Sequence, residues 1–331
     1  MTQDNHTAVA SDTTRKLSWG MITQNGGVVA LLVILLFNVL VTPNFLHPQT
    51  LFVNISQVAT IAIVAVGMTL VIATGGIDLS VGAIMALAGA IAPLIFTSAF
   101  AEANPELGLA LAIIVPIFVA LLCGVFNGAM VSFLNVQPIV ATLIFFISGR
   151  GIALVLTNGN LQTFSNPAFS YLGTGKILGF PFQGYLVIVI AVAVWWLMAY
   201  TVFGRQLLAV GGNERAAQLS GIPVKRVKIG AYVICAGLSG LAGLIVVAIN
   251  SASDAARIGN LMELDAIAAA VVGGTLLQGG KAPIFGAILG AIIIQLVKYT
   301  LLANGVADEV ALIAKAGIII LAVYVQQARK E

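Results

Sequence analysis

The polar residues that could act on a ligand fall in a few places along an otherwise apolar chain. The first is ATGGIDLSVGA, Ala73–Ala83, where an apolar run breaks. Gly75 and Gly76 permit a sharp turn or a close backbone approach. Asp78 and Ser80 can cap the helix that follows, because their oxygens accept bonds from its free N–H groups. A plain cap at a buried turn is one reading. The other is a broken helix that presents polar groups to a substrate along a path through the chain. The second place is MELDAIAAAVVGGTLLQGGKAP, Met262–Pro283. Glu263 and Asp265 open an apolar helix there, where its dipole alone favours acids; a gate or substrate role is the alternative. Gly273 and Gly274 form a second pair of turn glycines. Gly280-Lys281 is not a phosphate-binding loop. That motif needs Gly six residues before the Lys and Ser or Thr after it, and Thr275 and Ala282 stand there.

The third place is Thr201–Lys228, long and basic. Ala216 to Leu219 predict a short helix, started by Gly212 and Asn213 and ended by Gly221 in a left-handed turn. Pro223 stops any continuation. Such a helix can dock into a groove on a soluble partner, with Ala216 and Ala217 leaving no bulk. Glu214 can face a basic residue of that partner. The alternative is a solvated connector. Arg150, Lys298 and Lys315 lie in or near apolar runs, where an ionisable group needs pairing or water. Lys298 can snorkel to an interface, and Arg150 and Lys315 are better placed for buried partners or cavity walls. No metal site is expected, because His6 and His47 are isolated. Cys123 and Cys235 sit inside apolar runs as small core residues.

The elements that must position these groups follow from composition. Of 331 residues, 60% are hydrophobic and 8% charged, with mean hydropathy +1.07. A soluble domain carries roughly 25% charged residues, so lipid is the expected solvent. The net charge of +3 is too small to suggest nucleic acid. A bilayer core of about 30 Å takes roughly 20 apolar residues per spanning helix. The chain therefore predicts an all-α polytopic membrane protein of about ten spans. They lie near Gly26–Val41, Phe52–Thr74, Leu79–Phe96, Leu107–Phe133, Ile139–Leu156, Tyr185–Val202, Ile229–Ile249, Leu261–Leu277, Ile284–Leu302 and Val310–Val325.

Lysine and arginine give the orientation. With both termini cytoplasmic, ten of the fifteen basic residues fall inside, among them Arg205, Arg215, Lys225, Arg226 and Lys228. Residues 1–24 then form a cytoplasmic tail without a cleavable signal, 25–326 the membrane domain, 203–228 its internal loop and 327–331 a second tail. Thr157–Gly184, rich in Asn, Gly, Pro and Ser, suits the external face. A faint internal echo pairs Gly75-Gly76 and Gly82-Ala83 with Gly279-Gly280 and Gly286-Ala287. A proton relay would offer histidines or carboxylates deep in several spans. Their scarcity weakens the alternative of an ion-coupled secondary transporter. No nucleophile–base or metal constellation supports an enzyme.

Four segments taken in order, GMTLVIATGGIDLSVGA, VQPIVATLIFFISGRG, FGRQLLAVGGNERAAQLSGI and ELDAIAAAVVGGTLLQGG, resemble the permeases of bacterial ABC importers for ribose, arabinose, xylose, galactofuranose and related sugars. The likeness runs from about Asn38 to Gln326. Within it, IVATLIFFISGRGIAL and the LMELDAI context are most similar to the galactofuranose permease. One departure is Lys281–Pro283, where many relatives continue Gly-rich. The resemblance implies a multi-pass protein of the inner membrane with no bound cofactor. It implies a separate ATPase subunit that uses ATP, a periplasmic sugar-binding protein and a second permease chain, identical or paralogous. Gly212, Asn213, Glu214, Ala216, Ala217, Gly221 and Ile222 are then similar to the segment that contacts the ATPase. The expected pathway residues are Asp78, Ser80, Thr142, Glu263 and Asp265. The expected turn or gating glycines are Gly75, Gly76, Gly273 and Gly274.

Overall fold

A computed structural model describes residues 26–328. The tail expected at 1–24 lies outside the described residues, as do Arg329–Glu331. Helices make up most of the described chain, and four two-residue strands lie in its connections. In order, α1 is Gly26–Val41, α2 Pro48–Ala73, α3 Val81–Phe96, α4 Ala99–Ala103, α5 Pro105–Ser132 and α6 Pro138–Leu156. An ordered connection follows, with β1 Gln162–Thr163, α7 Pro167–Thr174, β2 Lys176–Ile177 and β3 Phe180–Pro181. Then come α8 Phe182–Tyr200, α9 Val202–Gly212, α10 Glu214–Leu219 and α11 Val224–Asn250. The chain closes with β4 Ala252–Ser253, α12 Met262–Val272, α13 Ile284–Ala303 and α14 Asp308–Ala328.

Among the described residues, α2, α5, α6, α8, α11 and α13 are long and apolar enough to cross a membrane, and α1 and α3 are shorter apolar helices. The protein is thus a multi-pass membrane protein. The span expected at Leu261–Leu277 is corrected. Its helix α12 has 11 residues, about 16 Å at roughly 1.5 Å per residue, half of the ~30 Å hydrocarbon thickness. The apolar run continues through Gly273–Leu277, but Gly274 at φ +93° turns the chain out of the helix.

The inner half of α2, Ala59–Ala73, is buried without interruption. It packs against α8, α11, α12 and α13, while α11 also packs against α3, α5 and α7. In lipid, helices associate by close packing rather than by expelling water. Gly124 and Gly128, four apart on α5, show how: a Cβ on Gly124 would lie 2.7 Å from the Tyr232 carbonyl, and one on Gly128 2.8 Å from Ile229 Cα, both on α11. The outer helices turn large apolar side chains outward, as Leu40 on α1 and Val155 on α6, both about three-quarters exposed.

The connection expected as an external loop, Thr157–Gly184, is folded. Phe169 of α7 is fully buried, and β1 pairs antiparallel with β4, Gln162 opposite Ser253. The segment after β4 is tightly turned. Asp254 Oδ1 accepts from the Ala256 amide, and Arg150 of α6 donates to the carbonyls of Ala255 and Ala256 at 2.9 and 3.1 Å. Gly259 meets Gly82 at the start of α3, backbone against backbone.

Candidate functional site

A cavity of about 840 Å³ lies between α2, α13, α12, the end of α11 and the 254–260 turn. Its wall mixes apolar surface with polar groups drawn from several elements. Gln57 and Thr60 come from α2, Asn250 from α11, Asn260 from the turn, Asp265 from α12 and Gln295 from α13. Gln295 Nε2 donates to Gln57 Oε1 and reaches Asn54 Oδ1 at 3.5 Å. Asp265 is held by Lys315 of α14, 2.6 Å away, with both side chains largely buried. Lys315 therefore has the buried partner expected of it, and Lys298 lines the cavity wall. Groups in this wall both donate and accept hydrogen bonds, which suits a hydroxyl-rich solute.

Glu263 and Asp265 are two residues apart on α12 and so diverge. Glu263 does not line the cavity. It is buried, and its Oε2 stands 2.7 Å from where a Cβ on Gly82 would lie. Asp78, Ser80 and Thr142 do not line the cavity either. They gather with Asn127 of α5, a residue the sequence reading did not single out. Asp78 Oδ1 accepts from the amide and the hydroxyl of Ser80, at 2.9 and 2.6 Å. The Ser80 hydroxyl accepts from Asn127 Nδ2 at 2.7 Å, and Thr142 Oγ1 accepts from the Leu79 amide at 3.1 Å. All four side chains are buried. The expectation that Asp78 and Ser80 cap α3 is corrected. Ser80 stands at the N-cap without a side-chain cap bond, because Asp78 closes the preceding turn and the Ser80 hydroxyl is engaged with its neighbours.

Of the turn glycines, Gly75 takes φ +82° and Gly274 φ +93°, a conformation open to glycine at little cost. Gly76 and Gly273 do not take positive φ. They are close approaches: a Cβ on Gly76 would stand 2.7 Å from Tyr232 Oη, and one on Gly273 2.2 Å from the Gly286 carbonyl. The two breaks, after α2 and after α12, meet. The Gly280 amide donates to the Ala73 carbonyl at 2.9 Å. Gly211, near the end of α9, seals the junction, since a Cβ there would lie 1.7 Å from that carbonyl oxygen and 2.5 Å from the Gly280 nitrogen.

Beyond this junction lies α10. Asn213 caps it by accepting from the Ala216 amide at 2.9 Å, and Gly221 ends it at φ +81°, as the sequence predicts. Gly212 belongs to α9 rather than to this helix. The Ile222 amide returns to the Ala217 carbonyl at 3.1 Å and closes the turn. One expectation is corrected. Ala217 is buried, because the short helix folds back onto its own support. Glu214 pairs with Lys228, 2.7 Å from both carboxylate oxygens, and stays half-exposed. What α10 offers outward is Glu214, Arg215, Ala216, Gln218 and Leu219, the last 83% exposed.

Residues 50–323 match the family described as branched-chain amino acid transport system / permease component. The chain belongs to this family. It is 37% identical to the galactofuranose transporter permease protein YtfT of Escherichia coli strain K12, across 91% of this chain and 89% of that one. It is 38% identical to the ribose import permease protein RbsC of the same strain, across 93% and 95%. The L-arabinose ABC transporter permease protein AraH of Azospirillum brasilense is 33% identical, across 98% and 93%. These relatives are permeases of sugar importers, and the chain is accordingly a transport permease and not an enzyme. No solved structure matches it.

Proposed function

We propose that this chain is the membrane-spanning subunit of an ATP-driven importer that moves a monosaccharide across the inner membrane by alternating access. The observation that carries the reading is the cavity between the helices of an apolar domain, with amide, hydroxyl and charged groups on its wall. Polar and ionisable side chains within a membrane domain are costly unless paired or wetted, and they mark substrate paths. The relatives are named for galactofuranose, ribose and arabinose. Their similar identities do not separate the first two sugars, so galactofuranose is one candidate among neutral monosaccharides. In this reading the chain crosses the membrane about ten times, counting α12 with its following turn as one crossing. Both termini lie in the cytoplasm.

The chain has no ATP-hydrolysing motif, so the energy enters through a partner. The ATPase docks on α10 from inside, and a periplasmic binding protein delivers the sugar from outside. A second permease chain, identical or paralogous, completes the assembly within lipid. ATP can drive the cycle only if its binding and release favour different permease conformations. The buried cluster of Asp78, Ser80, Asn127 and Thr142 serves as part of the closed inner end. The Asp265–Lys315 pair serves at the cavity wall.

The test is uptake of labelled sugar into vesicles holding the full complex. Uptake that needs ATP and the binding protein supports the reading. Uptake driven by a proton or sodium gradient without the ATPase would replace it with a secondary transporter.

A further inference from the structure

Resting on that importer reading, we propose that the amide pair Gln57 and Gln295, backed by Asn54, is the part of the membrane domain that reads the hydroxyls of a neutral monosaccharide. α2 carries Asn54 and Gln57 one turn apart, and α13 faces them with Gln295. Gln295 is 3% exposed and still lines the cavity. Gln57 is exposed on the same wall. The Gln295 amide nitrogen reaches across to both partners on α2. Amides between helices can act as glue alone, but glue needs no cavity beside it. Here the amides edge a space within the size range of small-molecule sites, roughly 300–1,000 Å³.

The chemistry points to a neutral ligand. An amide donates and accepts at once, as a sugar hydroxyl does. The ionisable residues on the wall are Asp254, Arg257, Asp265 and Lys298. Asp265 is paired with Lys315, and Asp254 lies 3.5 Å from Arg257. Lys298 is also engaged. Arg257 meets Asp254 only through Nε and its side chain is 90% exposed, so the neutral character of the site rests on the Gln57–Gln295 amides. Neutral hydrogen bonds are also weak enough for release, which a transport path requires as much as it requires binding. The same amides therefore set which hydroxyl pattern passes.

The experiment uses the assembled importer in vesicles, with the parent chain, Gln295→Leu and Gln57→Leu. Uptake is measured for D-ribose, L-arabinose, D-galactose and the sugar acid D-galacturonate, beside ATP hydrolysis. The parent is expected to carry at least one neutral sugar and to reject the acid. Each variant is expected to lose about tenfold in uptake of the preferred sugar, the worth of one or two neutral hydrogen bonds. The ratio between the neutral sugars is expected to flatten, and sugar-stimulated ATP hydrolysis to fall along with uptake. A purely structural role would lower all sugars by one factor and leave the ratios unchanged, which overturns the proposal. Gln57 is exposed, so its variant is expected to assemble even where loss of Gln295 prevents it. A Gln57→Leu importer with the parent's rates and ratios also overturns the proposal. Failure of the parent complex to take up any sugar with ATP would instead remove the importer reading, and the proposal with it.

Discussion

Asp265 and Lys315 make the sharpest case at the scale of single residues. Two charges 2.6 Å apart and largely buried hold each other against desolvation. Removing one leaves the other stranded, at a cost of about 3–5 kcal/mol. Asp265→Ala alone and Lys315→Met alone are each expected to lower the unfolding temperature in detergent sharply. The double variant is expected to recover much of the loss, because apolar replacement of both partners is often close to neutral. Additive losses in the double variant would show that the pair is not coupled. Gly76 gives a second case. Its backbone is one that alanine can adopt, but a Cβ would stand 2.7 Å from Tyr232 Oη. Gly76→Ala is therefore expected to destabilise, and Tyr232→Phe to restore much of the loss by vacating that space. Lack of rescue would place the constraint elsewhere in the turn.

At the scale of elements, α10 has one buried and several exposed positions. Ala217 faces inward and Leu219 outward. Ala217→Trp is expected to disturb the fold of α10 itself, whereas Leu219→Arg is expected to leave the membrane domain monodisperse. Truncating or reversing the chemistry of an interface anchor costs 2 kcal/mol or more, roughly thirtyfold in affinity. Leu219→Arg should thus cut capture of the ATPase and sugar-stimulated ATP hydrolysis together. Retention of both would make α10 a plain connector. Most of these elements were legible in the sequence, because uninterrupted apolar runs bounded by Gly, Pro and charge mark a membrane helix. The break at Ala73–Ala83 was legible for the same reason. The end of α12 was not, since Gly273–Leu277 keeps the apolar composition while leaving the helix. The direction of Ala217 was hidden because a six-residue helix is too short to show a periodic face. The cavity was hidden too. Gln57 and Gln295 are single polar residues 238 positions apart, and only the i, i+3 spacings Gln57–Thr60 and Gln295–Lys298 hint at polar stripes on two facing helices.

At the scale of the whole molecule, the two helix breaks and α9 share one junction, where the Ala73 carbonyl, the Gly280 amide and Gly211 meet. α10 follows α9 directly, so a continuous backbone path joins α10 to both breaks. The basic residues cluster in segments read as internal, and a reporter fused at Glu331 is expected to signal from the cytoplasm; a periplasmic signal would require an odd number of crossings. The central claim is that this fold moves a neutral sugar inward at the expense of ATP hydrolysed by another subunit. The most direct measurement is sugar uptake into vesicles containing this chain, its ATPase and its binding protein, with ATP or a non-hydrolysable analogue inside the ATPase-facing compartment. Accumulation with ATP and none with the analogue is the predicted result. Accumulation that ignores the nucleotide and follows an imposed ion gradient would contradict it.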